Sequence, residues 1–540
     1  MDERVHHLAG DLFGLDALAL TALRERPRPS AFGGTVVPAR ARDVEFAARD
    51  WDPTLLERVE LVAALRAHVD PHHADASHLH PAVDASIAAL GDERSSAVVA
   101  SARPAFFGGP LEVLYAALHA VALARALARE HDRPVVPILW IDSDAHESAD
   151  ARGAWLLNRH LDLTHSALPS MGSGRRPLAS IALDERAHRL DSVRGQLRQL
   201  LPETEHTGPA IELFAPRAGE TLGAAMRRAY GALLGDLGLV CMEPFAVRDT
   251  YSRALARCVT AGDAALVDAS PIAGAVALAD DERVPLHRTV EGQREPLRLV
   301  GRDFVYADED TDRAGSVLAA EIADRPTEFT AGPLLAPLAR DLVLPVVATI
   351  ANPADLRVHA ATSAWRDAMG APRPALVPRQ HATLVSAMAR EALTKRGVEL
   401  EAVLRARGAW AQSSDDADER PPVLDALKAV VARHTDELDE LRGELFEIEK
   451  GLAHRLRRTA KENADRIEKL RTRAERVVQN RAGKARRHER RLSNTLCPKG
   501  RPQEEVLTTA QYASAFGTAW IAALAEAVDP FASEHLVLEL

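Results

Sequence analysis

Four short stretches of this chain are apolar at consecutive positions rather than at every second one. They are residues 97–100, 135–141, 237–242 and 342–350. A strand with one solvated face alternates; a strand covered on both faces does not, so these runs suit a parallel sheet with helices on each side. Helix-like segments separate them: one follows Gly109-Pro110, and another covers residues 221–237, with apolar residues at three-to-four spacing. Strand, helix and strand at this rhythm imply right-handed crossovers and a doubly wound sheet. Residues 298–306 alternate better and predict a small hairpin outside the main sheet.

The 540-residue chain then changes character. Residues 412–422 read as an acidic linker ending in two prolines. Beyond it, Leu438, Leu441, Leu445, Ile448 and Leu452 step by three and four, and Ile467, Leu470, Ala474 and Val477 repeat the pattern. That is a coiled-coil seam. Its first arm is acidic, and the second carries 15 Lys/Arg against 5 Asp/Glu between Ala453 and Arg491. Antiparallel packing would set the opposite charges side by side, which favours a hairpin over one long helix. The phase breaks between Leu452 and Ala460, with Gly443 and Gly451 close by. The expected organisation is a core over 1–385, a helical connection and linker over 386–422, a coiled coil over 423–495, and a segment over 496–540 that returns to the core.

Several function classes are disfavoured. Arg486-Arg487-His488-Glu489-Arg490-Arg491 invites a nucleic-acid reading, but residues 453–491 hold no aromatic side chain to stack a base. No nucleic-acid partner is expected. The longest apolar candidate, residues 342–351, is half a membrane span and contains Pro345, so no membrane partner is expected either. The charged start MDERVHHLAGD lacks a secretory core, and Cys241, Cys258 and Cys497 are scattered, which fits a cytoplasmic location. Cys241 and Cys258 lack a neighbouring His and read as core. His68, His72, His73, His78 and His80 form an irregular acidic tract, read as surface rather than as a metal site; no metal is expected.

Chemistry concentrates where apolar runs end. The run 135–141 leads straight into Asp142, Asp144, His146 and Glu147. Ligands of open parallel sheets bind beyond the carboxyl ends of strands. There His146 could act as acid or base with Asp144 and Glu147 orienting it, the D-x-D-x-H order could hold a cation, or the residues could simply cap a helix. The run 97–100 leads through Ser101 and Arg103 to Gly109 and a helix start marked by Pro110, a place for an anion. It lacks both common nucleotide fingerprints, so there is no firm cofactor signature. The run 342–350 leads to Asn352 and Asp355, with Arg379 nearby; a backbone cap is the plain alternative there.

These segments, in this order, resemble the bacillithiol biosynthesis cysteine-adding enzyme family. The resemblance rests on Phe107 to Leu111 (FGGPL), the P-x-x-W strand leading to His146, the strand at Gly238, Ala351-Asn352-Pro353, Val377-Pro378-Arg379, the coiled coil, and the P-x-G-x-P-Q-E segment from Pro498 to Glu504. Against the family pattern, Ser101-Ala102-Arg103 replaces G-Q-Q, Ala116 replaces a Lys, Ala145 replaces an Asp, and Ala336 replaces an Arg. The resemblance implies a Rossmann-like core with inserted connecting segments and a long C-terminal coiled coil that forms a homodimer. It also implies a ligase that joins L-cysteine to glucosaminyl-malate, with ATP or another triphosphate as activator. His146, Asp144 and Glu147 would then be catalytic, and Ser101, Arg103, Gly109, Asp142, Asn352, Asp355 and Arg379 substrate-binding. The same scaffold with another small-molecule ligation or binding role, or an inert coiled-coil dimer, are the alternatives.

Overall fold

A computed structural model describes residues 5–12, 17–29, 32, 34–46, 55, 57–69, 80–146, 148–170, 175–265, 278, 281–300, 303–306, 312–371, 373–407 and 421–540. The chain divides into two compact units, Met1–Arg390 with Arg501–Leu540, and Glu391–Gly500.

The first unit is built on five strands: β1 (Ser96–Ala102), β2 (Val135–Ile141), β3 (Val240–Met242), β4 (Val346–Ala351) and β5 (Ala375–Pro378). They lie in the order β5-β4-β1-β2-β3, and every neighbouring pair is parallel. The order reverses between β1 and β4, the topological switch of a doubly wound sheet. The consecutive apolar residues follow from two-sided burial. Val98, Ala100, Leu139, Ile141 and Cys241 enter one core, while Ala97, Val99, Ile138, Trp140, Val240 and Met242 enter the other. Helix α1 (Leu111–His131) covers the first face, with Leu114, Leu118 and Val121 buried in it. Helices α2 (Arg248–Ala265) and α3 (Ala336–Val343) supply Tyr251, Leu255, Leu338 and Val343 to the second.

The longest apolar candidate is α1 rather than residues 342–351, because charges within an apolar helix break its uninterrupted run. It is the one described helix long and apolar enough to cross a bilayer, yet most of it is buried inside the fold. Its hydrophobicity serves a core.

The alternating segment forms antiparallel strands Arg298–Val300 and Asp303–Val305 outside the central sheet. A further sheet of three strands sets His535–Glu539 between Val5–Leu8 and Ala382–Val385. Residues 501–540 therefore belong to the first unit.

The second unit contains the coil. Helix α4 (Pro422–Ile448) and helix α5 (Lys450–Leu496) pack along each other. They meet at Glu449, whose backbone is extended (φ −160°, ψ 126°). Val430 and Glu437 share a gap with Ile467 and Asn463, the antiparallel register of a hairpin. The break falls at Glu449, just before the expected interval, because the extended residue ends one helix outright instead of shifting its phase. Ion pairs along the arms join residues one turn apart, such as Arg471 with Glu468 and Glu475. Leu441, Ile448, Leu452, Leu470 and Val477 are exposed on this hairpin. The acidic linker at 412–420 lies outside the described residues.

Candidate active site

The parallel sheet brings the ends of all five strands to one edge. β2 stops at Ile141, where Asp142 N–H still reaches Ala102 O at 2.8 Å. The chain then turns, with Ala145 N–H on Asp142 O at 3.2 Å. Residues 177–179 pin the turn from outside: Leu178 N–H donates to Ala145 O and Ala179 N–H to Ser143 O, both at 2.8 Å. His146 bridges to Pro177, which holds its backbone, and the residue stays partly exposed.

Three arginines from distant segments surround this turn. Arg248, at the start of α2, grips Asp144 with both nitrogens; Nη1 to Oδ2 is 2.9 Å. Asp144 is buried, and it overcomes the cost of burial to hold the Arg248 guanidinium above its ordinary range. Arg294 lies buried opposite, donating to Thr330 Oγ1 and Ala331 O at 3.0 Å each and to His287 Nδ1 at 3.1 Å. His287 is therefore an acceptor, pushed down to about 2 by burial and by Arg294. Arg103, exposed after β1, acts electrostatically on Asp142, His146 and Asp355 alike.

The titrations follow from this crowding. Burial and Asp144 push the Asp142 carboxyl up, against the pull of Arg294, Arg103 and Arg248. Burial, then Arg294, Arg175 and Arg103, push His146 down, so its imidazole is neutral at pH 7. The His146 and His287 rings are 6.4 Å apart. Chemically the edge offers a neutral imidazole, a carboxyl that ionises reluctantly, and cations able to take anionic oxygens. Among the described residues no cluster of His, Cys, Asp and Glu has the spacing of a metal site.

The other half of the edge is spent differently. Asn352 Oδ1 accepts from Asp355 N–H, and Asp355 Oδ2 accepts from Asn352 N–H, each at 3.0 Å, a reciprocal box that starts helix Pro353–Ala361. Arg379 is buried and donates to Glu504 Oε1 at 2.8 Å; Ala382 N–H donates to Glu504 Oε2 at 2.9 Å, and His381 Nδ1 lies 2.5 Å from Oε1. Burial works against the Glu504 charge, and Arg379 and His381 hold it well below the usual carboxylate range. A cleft beyond β4 and β5 is lined by Asn352, Pro353, Arg379 and His381, among others, and His146 is not part of it.

Gly109 is buried, with its N–H on Phe106 O at 3.2 Å. Phe107, Gly108 and Gly109 all have positive φ (56°, 82°, 72°), and a Cβ on Gly108 would meet Phe214 at 2.6 Å. This glycine pair makes a tight corner. The expected anion seat at the start of α1 is occupied by protein, because Leu111 N–H donates to Leu507 O at 2.8 Å. Glu147 lies outside the described residues, as do His72, His73 and His78. His68 corrects the surface reading of that tract: it is buried, pushed down to about 3 by desolvation, and accepts from Glu243 N–H at 3.2 Å. His80 caps helix Pro81–Ala89.

Arg248, Arg294, Arg340 and Glu243 escaped sequence reasoning, and Glu504 entered it only as part of a motif, with no role. Glu243 alone carried the signal used elsewhere, a polar residue directly after a buried strand. It is wholly buried, 3.6 Å from Arg227 Nε, and its carboxyl is pushed up by burial.

With this geometry in place, the family models and the curated relatives agree. Residues 45–380 match the N-terminal Rossmann-like domain of bacillithiol biosynthesis BshC, and residues 382–540 its C-terminal coiled-coil domain. A relative from Solibacter usitatus is 24% identical over 507 residues, covering 91% of each chain. One from Koribacter versatilis is 23% identical, covering 82% of this chain and 84% of its own. One from Bacillus velezensis is 22% identical, covering 89% and 90%. All three bear the name "Putative cysteine ligase BshC". The chain belongs to the bacillithiol biosynthesis BshC family, in both its Rossmann-like and its coiled-coil domain.

Proposed function

We propose that this chain is a cytoplasmic ligase that joins the carboxyl group of L-cysteine to the amine of glucosaminyl-malate, with ATP as the activating co-substrate. The observation that carries the reading is His146, partly exposed beyond β2 and kept neutral by burial and by Arg294, Arg175 and Arg103. Amide formation needs a group to take the proton that the attacking amine loses, and a neutral imidazole at pH 7 does this. The activated carboxyl and the phosphates carry negative charge, and Arg103, Arg248 and Arg294 supply opposite charge at the same edge. Asp142 suits the α-ammonium of cysteine, Asp144 fixes Arg248, and Glu147 follows His146 in the chain. Ser101, Asn352, Asp355 and Arg379 frame the β1, β4 and β5 side, with Gly109 forming the corner behind it. The exposed apolar residues of the hairpin support a homodimer through the coil.

Incubation of the purified chain with glucosaminyl-malate, cysteine and ATP tests this by mass spectrometry. The expected product is the conjugate, formed with loss of water, and absent without ATP. Retained nucleotide affinity with no cysteine transfer would point to another ligation on the same scaffold. Dimerisation without any ligand binding would leave only the inert-scaffold reading.

A further inference from the structure

Ser101 is the penultimate residue of β1, half-buried at the point where the strand order reverses. Arg340, on α3, reaches it from inside the fold: Nη1 lies 2.8 Å from Ser101 Oγ. A guanidinium has only donors, so the Ser101 oxygen is the acceptor. Its single proton is then free to point away from Arg340.

Arg340 has no freedom to release this contact. Its Nε and Nη2 donate to Asp341 Oδ1 at 3.0 and 2.8 Å, and Nη2 also donates to Thr349 Oγ1 at 3.0 Å. Arg366 holds the other Asp341 oxygen at 2.9 Å. Arg340, Asp341, Thr349 and Arg366 are all buried. Two guanidinium groups face one carboxylate here, while His359 beside them is kept neutral by burial. Asp355, pushed up by burial, is acted on by Arg340 as well as by Arg103, so Arg340, Arg366 and Arg103 outnumber the carboxylates Asp341 and Asp355 behind Ser101. A buried cation surplus at low dielectric favours an anion next to it.

We infer that Arg340 is a positioning residue that turns the Ser101 hydroxyl into a donor for an anionic oxygen, carboxylate or phosphate, at the carboxyl edge of β1. Which substrate carries that oxygen rests on the ligation reading; the donor arrangement itself does not.

Calorimetric titration of the full chain with glucosaminyl-malate, ATP and inorganic phosphate tests the inference. Ser101→Ala is expected to weaken binding of at least one of them by about 10- to 100-fold. Loss confined to glucosaminyl-malate assigns a carboxylate, and loss with ATP and phosphate assigns a phosphate. Arg340→Gln is expected to weaken the same ligand, and the double variant is expected to bind no worse than Ser101→Ala alone. A purely structural Arg340 would lower the melting temperature and leave affinity unchanged. If Arg340→Gln does not fold, Ser101→Ala decides alone. Unchanged affinities in Ser101→Ala, additive losses in the double variant, or no binding of any of the three by the wild type would each overturn the inference. Ligand binding without conjugate formation would instead sink the ligation reading and leave this inference to the Ser101→Ala comparison.

Discussion

The two halves of the sheet edge use similar residues for opposite ends. Beyond β2, charged groups from segments about a hundred residues apart meet, His146 stays partly exposed, and burial pushes His146 down and Asp142 up. Beyond β4 and β5, Asn352 and Asp355 close a helix cap, and Arg379 with Glu504 closes a buried latch. Polar residues after a buried strand thus mark the place where chemistry is possible. Whether a side chain is available for it depends on what the rest of the chain brings to meet it.

That contrast can be broken by exchange of effects. The largest expected change is in stability. Glu504→Ala leaves Arg379 buried without its carboxylate and removes the acceptor of Ala382 N–H, which is expected to cost about 3–5 kcal/mol. Chemical denaturation measures it; a loss below about 1 kcal/mol would show that the latch is not structural. His146→Ala should do the reverse, lowering kcat/KM by about 10²- to 10⁴-fold while the denaturation midpoint barely moves. Stability loss without activity loss there would erase the difference between the halves.

A pH series sharpens the comparison further. His119 accepts from Gln380 N–H at 3.1 Å and its Nε2 faces Pro530 O at 3.0 Å, an arrangement for the neutral ring. Burial pushes it down to about 4, and His535 likewise to about 4. Below the ordinary value of 6.5 the unfolded chain binds protons at these sites that the folded chain refuses. Their contribution is complete above pH 6.5 and is lost as pH falls toward 4. Asp142, Glu112 and Glu243, pushed up by burial, work in the opposite direction. The melting temperature should fall from pH 7 to 5, and replacement of His119 by Asn should flatten that fall. The smallest effect belongs to the cap: Asn352→Ala should cost about 1 kcal/mol by chemical denaturation.

Much of the architecture was legible because two-sided burial writes itself into consecutive residues. The runs that became β1, β2 and β4 are covered on both faces and hold a polar side chain only where it finds a partner, as Thr349 finds Arg340, whereas the hairpin outside the sheet alternates because one side of it is less covered. The turn after Ile141 was legible for the same reason, as the first place where charge is tolerated. What stayed hidden were the partners. Arg248 is 104 positions from Asp144, and Arg340 is 239 from Ser101. No local pattern encodes such a pairing. A faint signal did exist in APLARDLV, where Arg340 and Asp341 interrupt an apolar helix; adjacent opposite charges in such a setting are tolerated in a core only when paired. Asn352 shows the converse, since its helix-starting role was readable three residues away, in Asp355.

The small sheet at the chain ends has a consequence for how the molecule is made. Its middle strand joins residues whose sequence separation reaches 533, His6 with Glu539. Contacts of that range carry a large loop-closure cost and slow folding. Until His535–Glu539 arrives, Val5–Leu8 has no neighbour and Ala382–Val385 shows an open edge, the kind of edge that invites strands from other molecules. A truncated product ending before this strand would therefore be prone to self-association, so His535–Glu539 doubles as a cover for an adhesive edge.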